Sequence, residues 1–169
     1  MALQRKIVLL SAREPIFVTI KMNMEANYFY AQLHDAVRTQ IGARIFTVTV
    51  QDVTAGVVRR AYTSHPDDYP LSGTKPLQTD AWSKLVLERG EVFLANTTAE
   101  FAQYFPDYAL INALGCHSAM NVPIIENSEV IGTINILDVQ DHFTPEKVQW
   151  IKDFLNLHHD EIASAMRTV

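Results

Sequence analysis

Cys116 is the only cysteine of the chain, and His117 follows it directly. A thiol beside an imidazole is the pairing that nucleophilic catalysis uses, because the base removes the proton that keeps sulfur unreactive. A lone cysteine is equally a small apolar side chain that strands bury readily. The pair stands at the mouth of a strand, GCHSAMNVPII, which favours the second reading. His65, Asp67 and Asp68 are metal-ligating types sharing the loop SHPDDYPLSGTKP, but acidic, proline-bounded loops are ordinarily solvated turns, and no second ligand cluster follows at a recognisable spacing. In His158-His159-Asp160-Glu161 adjacent helical positions point apart, and the HExxH pattern is missing. Lys75, two residues after Gly73, could meet an anion at the next helix N-terminus; a solvent-facing lysine is the simpler account. No metal is expected, no cofactor is named and no catalytic residue is assigned.

The elements that would position these groups follow from periodicity. Phe29, Leu33, Val37 and Ile41 recur at helical spacing over 24–41. Residues 44–51 alternate, Phe46, Val48 and Val50 against Thr47, Thr49 and Gln51, as in a half-buried strand. Thr54-Ala55-Gly56 turns the chain into VVRRAYT, giving a hairpin. Three prolines and a glycine make 64–76 a surface loop. LQTDAWSKLVLERG reads as a helix with Leu77, Ala81, Leu85 and Val86 inward and Gly90 as its stop. EVFLA is a short strand, and 97–114 holds short helices with Thr97 or Thr98 as N-cap. A second hairpin pairs 118–125 with 129–138 across Asn127-Ser128, with Val130, Ile134 and Ile136 alternating against Thr133 and Asn135. Thr144-Pro145-Glu146 opens a helix running to about Met166, with Val148, Ile151, Leu155, Ile162 and Met166 on one stripe.

Hairpins imply antiparallel pairing, and the separated helices imply layers, so the fold class is α/β in the α+β sense. The chain has 169 residues, enough for one domain. Residues 1–21 read as an N-terminal extension outside the core domain of 22–169, with an added edge strand of Ile16 to Ile20 as the alternative. A net charge of −5 gives no basic stripe, so no nucleic-acid partner is expected. No apolar run reaches the length of a membrane span, and one cysteine suits a reducing, cytoplasmic setting.

Gly115 to Pro123, the glycine strand Val130 to Leu137, and Phe143-Thr144-Pro145-Glu146 together resemble the GAF domain family, whose architecture is related to that of PAS domains. The likeness covers roughly residues 24–167. It implies an antiparallel sheet of five or six strands, terminal helices on one face, and a ligand pocket roofed by short helices and loops on the other. Bilin-binding members attach their chromophore through a Cys-His dipeptide placed on a helix well before the Ser, whereas here Ser118 follows Cys116-His117 at once. Free methionine sulfoxide reductases would need a resolving cysteine and strand acids, where this chain has Ala119, Asn135 and Leu137. The Asn-Lys, Phe, Asp-Glu signature of cyclic-nucleotide members does not occur.

The resemblance places the roof in residues 62–115, rich in side chains that are apolar with a polar tip: Tyr62, His65, Tyr69, Trp82, Tyr104 and Tyr108, beside Phe101 and Phe105. The floor would offer Ser118 or Asn121 with Thr133 or Asn135, because a slip of one residue exchanges the two sets. Simple filling of the core is the alternative for each aromatic. The expected function is a non-catalytic sensor binding a small, partly aromatic or planar molecule. Its signal would leave through a helical face, as a homodimer of terminal helices in which Tyr28, Tyr30, Phe154 and Leu157 meet a second copy, or through a separate protein. Thiol chemistry at Cys116, and a dimerisation module without ligand, are the rival readings.

Overall fold

The computed structural model describes residues 14–168. They begin with a long helix, α1 (Glu14–Gln40), followed by the hairpin β1 (Ile45–Asp52) and β2 (Val57–Thr63) and a short edge strand β3 (Thr74–Pro76). Next come α2 (Ala81–Ser83), which widens into a π-helical turn over Lys84–Glu88, then β4 (Phe93–Ala95), α3 (Thr98–Phe101) and α4 (Tyr108–Ala113). The hairpin β5 (Ser118–Glu126) and β6 (Glu129–Asp138) leads into α5 (Pro145–Leu157) and α6 (His159–Met166). The six strands pair antiparallel throughout in the order β3-β2-β1-β6-β5-β4.

Local chemistry sets the boundaries. Asp80 accepts from the Ser83 backbone N–H at 2.7 Å and starts α2. Thr97 and Glu100 exchange hydrogen bonds in a capping box ahead of α3. Thr144 caps α5 by accepting from Lys147, with Pro145 at the first helical position. Asn127 and Ser128 both adopt the left-handed conformation, with φ of 51° and 67°, as a two-residue hairpin turn requires.

One face of the sheet is aliphatic. Phe46, Val48 and Val50 from β1, Met120, Val122 and Ile124 from β5, and Ile134 and Ile136 from β6 pack under Leu33 and Val37 of α1, Ile151 and Leu155 of α5, and Ile162 and Met166 of α6. Burying one such side chain stabilises the fold by about 1.5–3 kcal/mol, so this layer holds the helices to the sheet. Where α6 crosses β6, a Cβ on Gly132 would run into the Thr49 carbonyl and the Met166 sulfur; only glycine lets the layers approach this closely.

Several expectations are corrected. Residues Ile16 to Ile20 lie within α1 and form no edge strand, while residues 1–13 of the expected extension lie outside the described residues. Tyr30 is fully buried against the sheet, because the inward stripe of α1 runs Ala26, Tyr30, Leu33, Val37, and so cannot meet a second copy. Leu77 precedes α2 and Ala81 is exposed, since the Asp80 cap starts the helix later than hydrophobic spacing suggests. Pairing of Ile124 with Gly132 and of Ile125 with Val130 skips Ile131, and this bulge takes Val130 out of line with Ile134. The last helix breaks at His158, with φ −102° and ψ 17°, although its apolar stripe continues across the break.

Candidate functional site

The opposite face of the sheet is graded in polarity from row to row. Ile45, Leu137, Ala119 and Ala95 stand side by side across β1, β6, β5 and β4. The next row along the strands on that face is Thr47, Asn135, Asn121 and Phe93, and beyond it Thr49 lies beside Thr133. Three successive partners in the middle row are polar, and they bond in sequence: Asn135 Nδ2 donates to Thr47 Oγ1 at 3.2 Å, and Asn121 Nδ2 donates to Asn135 Oδ1 at 2.8 Å. The chain of bonds ends on Trp82, whose indole Nε1 donates to Asn121 Oδ1 at 2.9 Å. Thr49 and Thr133 share a hydroxyl–hydroxyl bond at 2.5 Å. Asn121 and Thr47 are 5% and 9% exposed and Asn135 between them is half-buried, so the amide row is a largely buried polar network in a layer that could have been apolar at lower desolvation cost.

Trp82 reaches Asn121 from the short helix that widens into the π-turn, where Arg89 N donates to Lys84 O at 3.2 Å. Such inserted turns recur at functional sites because they re-aim the residues around them. Around the indole the roof is apolar. Val86, Phe93, Phe101, Ile111 and Ala119 form its buried core, with Tyr69, Tyr104 and Phe105 packed against it. Phe93 lies 5.1 Å from Tyr104 and 5.2 Å from Phe105, ring centre to ring centre. Tyr69 hydrogen-bonds Asp107 at 3.3 Å, and burial together with the Asp107 charge pushes its phenol well above the ordinary range; it stays protonated as a donor.

The structure gathers some expected residues and scatters others. Asn121, Thr133 and Asn135 share the face with Trp82, while Phe101 and Phe105 pack in the roof beside Tyr69. Ser118 has the opposite strand parity and donates to the Asp138 carbonyl at 3.2 Å. Tyr62 lies on the helix side, 3.1 Å from His34 Nδ1 and packed on Tyr30 and Phe46. His65 bonds its neighbour Ser64 at 2.9 Å, and Tyr108 is exposed. Thr47 and Thr49, missing from the expected floor, belong to it; their alternation with Phe46 and Val48 was the available signal. Where a hollow was expected beneath the aromatic lid, the Trp82 indole bonds to the floor at Asn121. Two surface grooves, of about 260 and 290 Å³, include neither Trp82 nor the amides.

Cys116 is fully buried, and burial, aided by the Asp138 charge, pushes its thiol up to about 11. Next to it, His117 contacts Thr98 at 3.2 Å. A thiol so placed carries almost no thiolate near neutrality, which removes the nucleophile that a Cys-His mechanism needs. Among the described residues no group of His, Cys, Asp and Glu is arranged to hold a metal ion, and no helix is long and apolar enough to cross a membrane.

Comparison with known proteins agrees with this architecture. A family model described as GAF domain matches residues 29–157. Among solved structures, the GAF domain from a phosphoenolpyruvate-protein phosphotransferase of Coxiella burnetii is similar at 20% identity, covering 89% of this chain and 93% of that one, with a TM-score of 0.63. The GAF domain of a two-component sensor histidine kinase from Bacillus halodurans matches at 11% identity over 82% and 91% of the two chains, TM-score 0.63. A type II free methionine-R-sulfoxide reductase from Thermoplasma acidophilum matches at 13% over 84% and 94%, TM-score 0.64. A search of curated proteins returned no match. At these identities the structural likenesses speak for the fold alone, while the family match spans most of the chain, and on that ground the chain belongs to the GAF domain family.

Proposed function

We propose that this GAF domain is a non-catalytic sensor of a small planar molecule that takes the place of the Trp82 indole over the amide row. The single observation that carries this reading is the bond from Trp82 Nε1 to Asn121 at the end of a part-buried Asn121–Asn135–Thr47 chain. An indole is a flat, aromatic, single-donor group, and its seat describes what the site accepts: a ring with a donor facing Asn121 Oδ1. Displacing Trp82 moves the short helix that bears it and the π-turn that continues it, which gives a bound molecule a mechanical readout. The buried, protonated Cys116 argues against the thiol-enzyme alternative.

The output surface in this reading is the outer side of the terminal helices, presented to a second copy of the chain in a cytoplasmic homodimer. Met24 and Tyr28 of α1 and Leu157 of α5 are exposed at 68%, 67% and 76%, and on α5 Trp150 stacks on Phe154 at 4.7 Å. The filled seat also favours a second reading, a dimerisation module without ligand.

Native mass spectrometry of freshly purified protein, followed by a thermal-shift screen of planar metabolites on the wild type and on Trp82→Ala, separates the two. A retained or stabilising compound that binds tighter to Trp82→Ala supports sensing. If neither protein retains or responds to any compound, the sensor reading fails. Sedimentation of Tyr28→Glu with Leu157→Glu tests the interface: a wild-type dimer that becomes monomeric supports it, and a wild-type monomer refutes it.

A further inference from the structure

A groove of about 260 Å³ opens on the other side of the molecule, where α1 crosses the edge of the sheet. Asn23, Asn27 and Tyr30 line it from α1, Arg60 and Ala61 from β2, and Leu71 from the loop that follows. Two buried donors here have no acceptor among the described residues: the Tyr30 hydroxyl, on a side chain that is 0% exposed, and Nε of Arg60. Buried polar atoms are paired in nearly every native fold, so two orphans bordering one groove point to something that accepts from both.

The cation holds no carboxylate in direct contact among the described residues, the nearest charge felt being that of Asp107 beyond Tyr69. Arg59 pairs with Asp52 at 3.0 Å, but Arg60 forms no ion pair among the described residues. Its guanidinium is fixed instead by neutral contacts: Nη1 donates to the Pro70 carbonyl at 2.8 Å, and its carbon stands 5.2 Å from the centre of the Tyr69 ring. The pairing of Val48 with Tyr62 and of Thr49 with Arg60 skips Ala61, a bulge of the kind that re-aims side chains. Burial raises the Tyr30 phenol, so it remains a hydrogen-bond donor.

We propose that this groove is a binding site for a small organic carboxylate, received by Arg60 and the Tyr30 hydroxyl, with its apolar body against Ala61 and Leu71. The volume falls just below the range of about 300–1,000 Å³ of drug-sized pockets, which suits a molecule of one small ring or a short branched chain. A single preset guanidinium flanked by apolar walls matches a monocarboxylate better than a phosphate dianion, which would call for more cations and stronger hydration. The site is independent of the amide row and does not rest on the sensing function assigned there.

Benzoate is the probe, titrated into the full ¹⁵N-labelled chain and followed by amide shifts. Saturable shifts at Asn27, Tyr30, Arg60 and Ala61, with Asn121 and Asn135 unmoved, are expected. Arg60→Gln should weaken binding at least about tenfold, the value of a charge-assisted hydrogen bond. Tyr30→Phe should weaken it about threefold or more while raising Tm, because it deletes an unmet donor. Benzamide, of the same shape without charge, should leave the groove resonances unmoved. No saturable shift up to about 10 mM benzoate, equal binding of benzamide, or unchanged affinity in Arg60→Gln would each overturn the proposal.

Discussion

On β1 the side chains of Phe46, Val48 and Val50 go under the terminal helices, while Thr47 and Thr49, one residue away, meet Asn135 and Thr133 on the roofed side. The same three central strands therefore carry two different surfaces. The helix side holds together by area: aliphatic groups interlock, and no single partner is special. The roofed side is held by directed bonds, each of which leaves a named atom unsatisfied when broken. Loss of volume should damage the first, and loss of a partner the second.

Ile134→Ala tests the aliphatic side where it is fully buried, and it should have the largest effect, a loss of about 2–5 kcal/mol in urea unfolding. A loss below about 1 kcal/mol would mean that the helix layer collapses easily into the gap. Asn121→Leu, nearly equal in size, should cost about 1–3 kcal/mol by stranding Trp82 Nε1 and Asn135 Oδ1. A neutral result would show that the amide row contributes no directed stabilisation. Trp82→Phe leaves Asn121 in place and removes only one donor, so a loss of about 1 kcal/mol is expected; calorimetry on Trp82→Phe, Asn121→Leu and the double variant should give a non-additive cycle if the bond is real.

The smallest effect is with pH. Burial lowers His142 below the ordinary histidine range, with Lys147 adding to the shift and Asp138 opposing it. A histidine depressed in the folded state favours the neutral form, so its contribution is complete above the unfolded value of about 6.5 and is lost as pH falls toward the folded value. His34 is lowered in the same sense, mainly by burial. His159, raised by the Ile125 carbonyl, acts oppositely. His142→Asn should therefore flatten the decline of stability between about pH 7 and 5 relative to wild type; parallel curves would contradict the assignment.

The alternation of β1 makes both surfaces legible in the sequence, because a strand has a period of two and its apolar set must be the buried one. Thr133 and Asn135 alternate against Ile134 and Ile136 in the second hairpin in the same way, whereas the choice between Ser118 and Asn121 stays open until strand pairing sets the register. Tyr62 did not. Counting back from the Asp52–Val57 turn pair in regular register puts Tyr62 opposite Thr47, on the roofed side. The bulge at Ala61 moves it opposite Val48, on the helix side, and nothing in VVRRAYT announces that extra residue. On α1 the expected Leu33, Val37 and Ile41 are buried, and Tyr30 takes the inward place expected of Phe29: both are aromatic, and only docking against the sheet decides between them. Trp82 was legible as a lining residue but not as the group that fills the seat, since that depends on the width of the turn after it.

That width has a consequence for protein engineering. An ordinary helix turns about 100° per residue, whereas the segment Lys84–Glu88 closes its ring over one residue more. Deleting a single residue there would bring the Arg89 N–H to the Lys84 carbonyl as the fourth residue on, so the ring would close as an ordinary helical turn with the chain beyond it kept in place. Removing Leu85 in particular would set Val86 three residues after Trp82 instead of four and rotate it around the coil relative to the indole. One codon removed is enough to change how the plug sits against the wall that supports it.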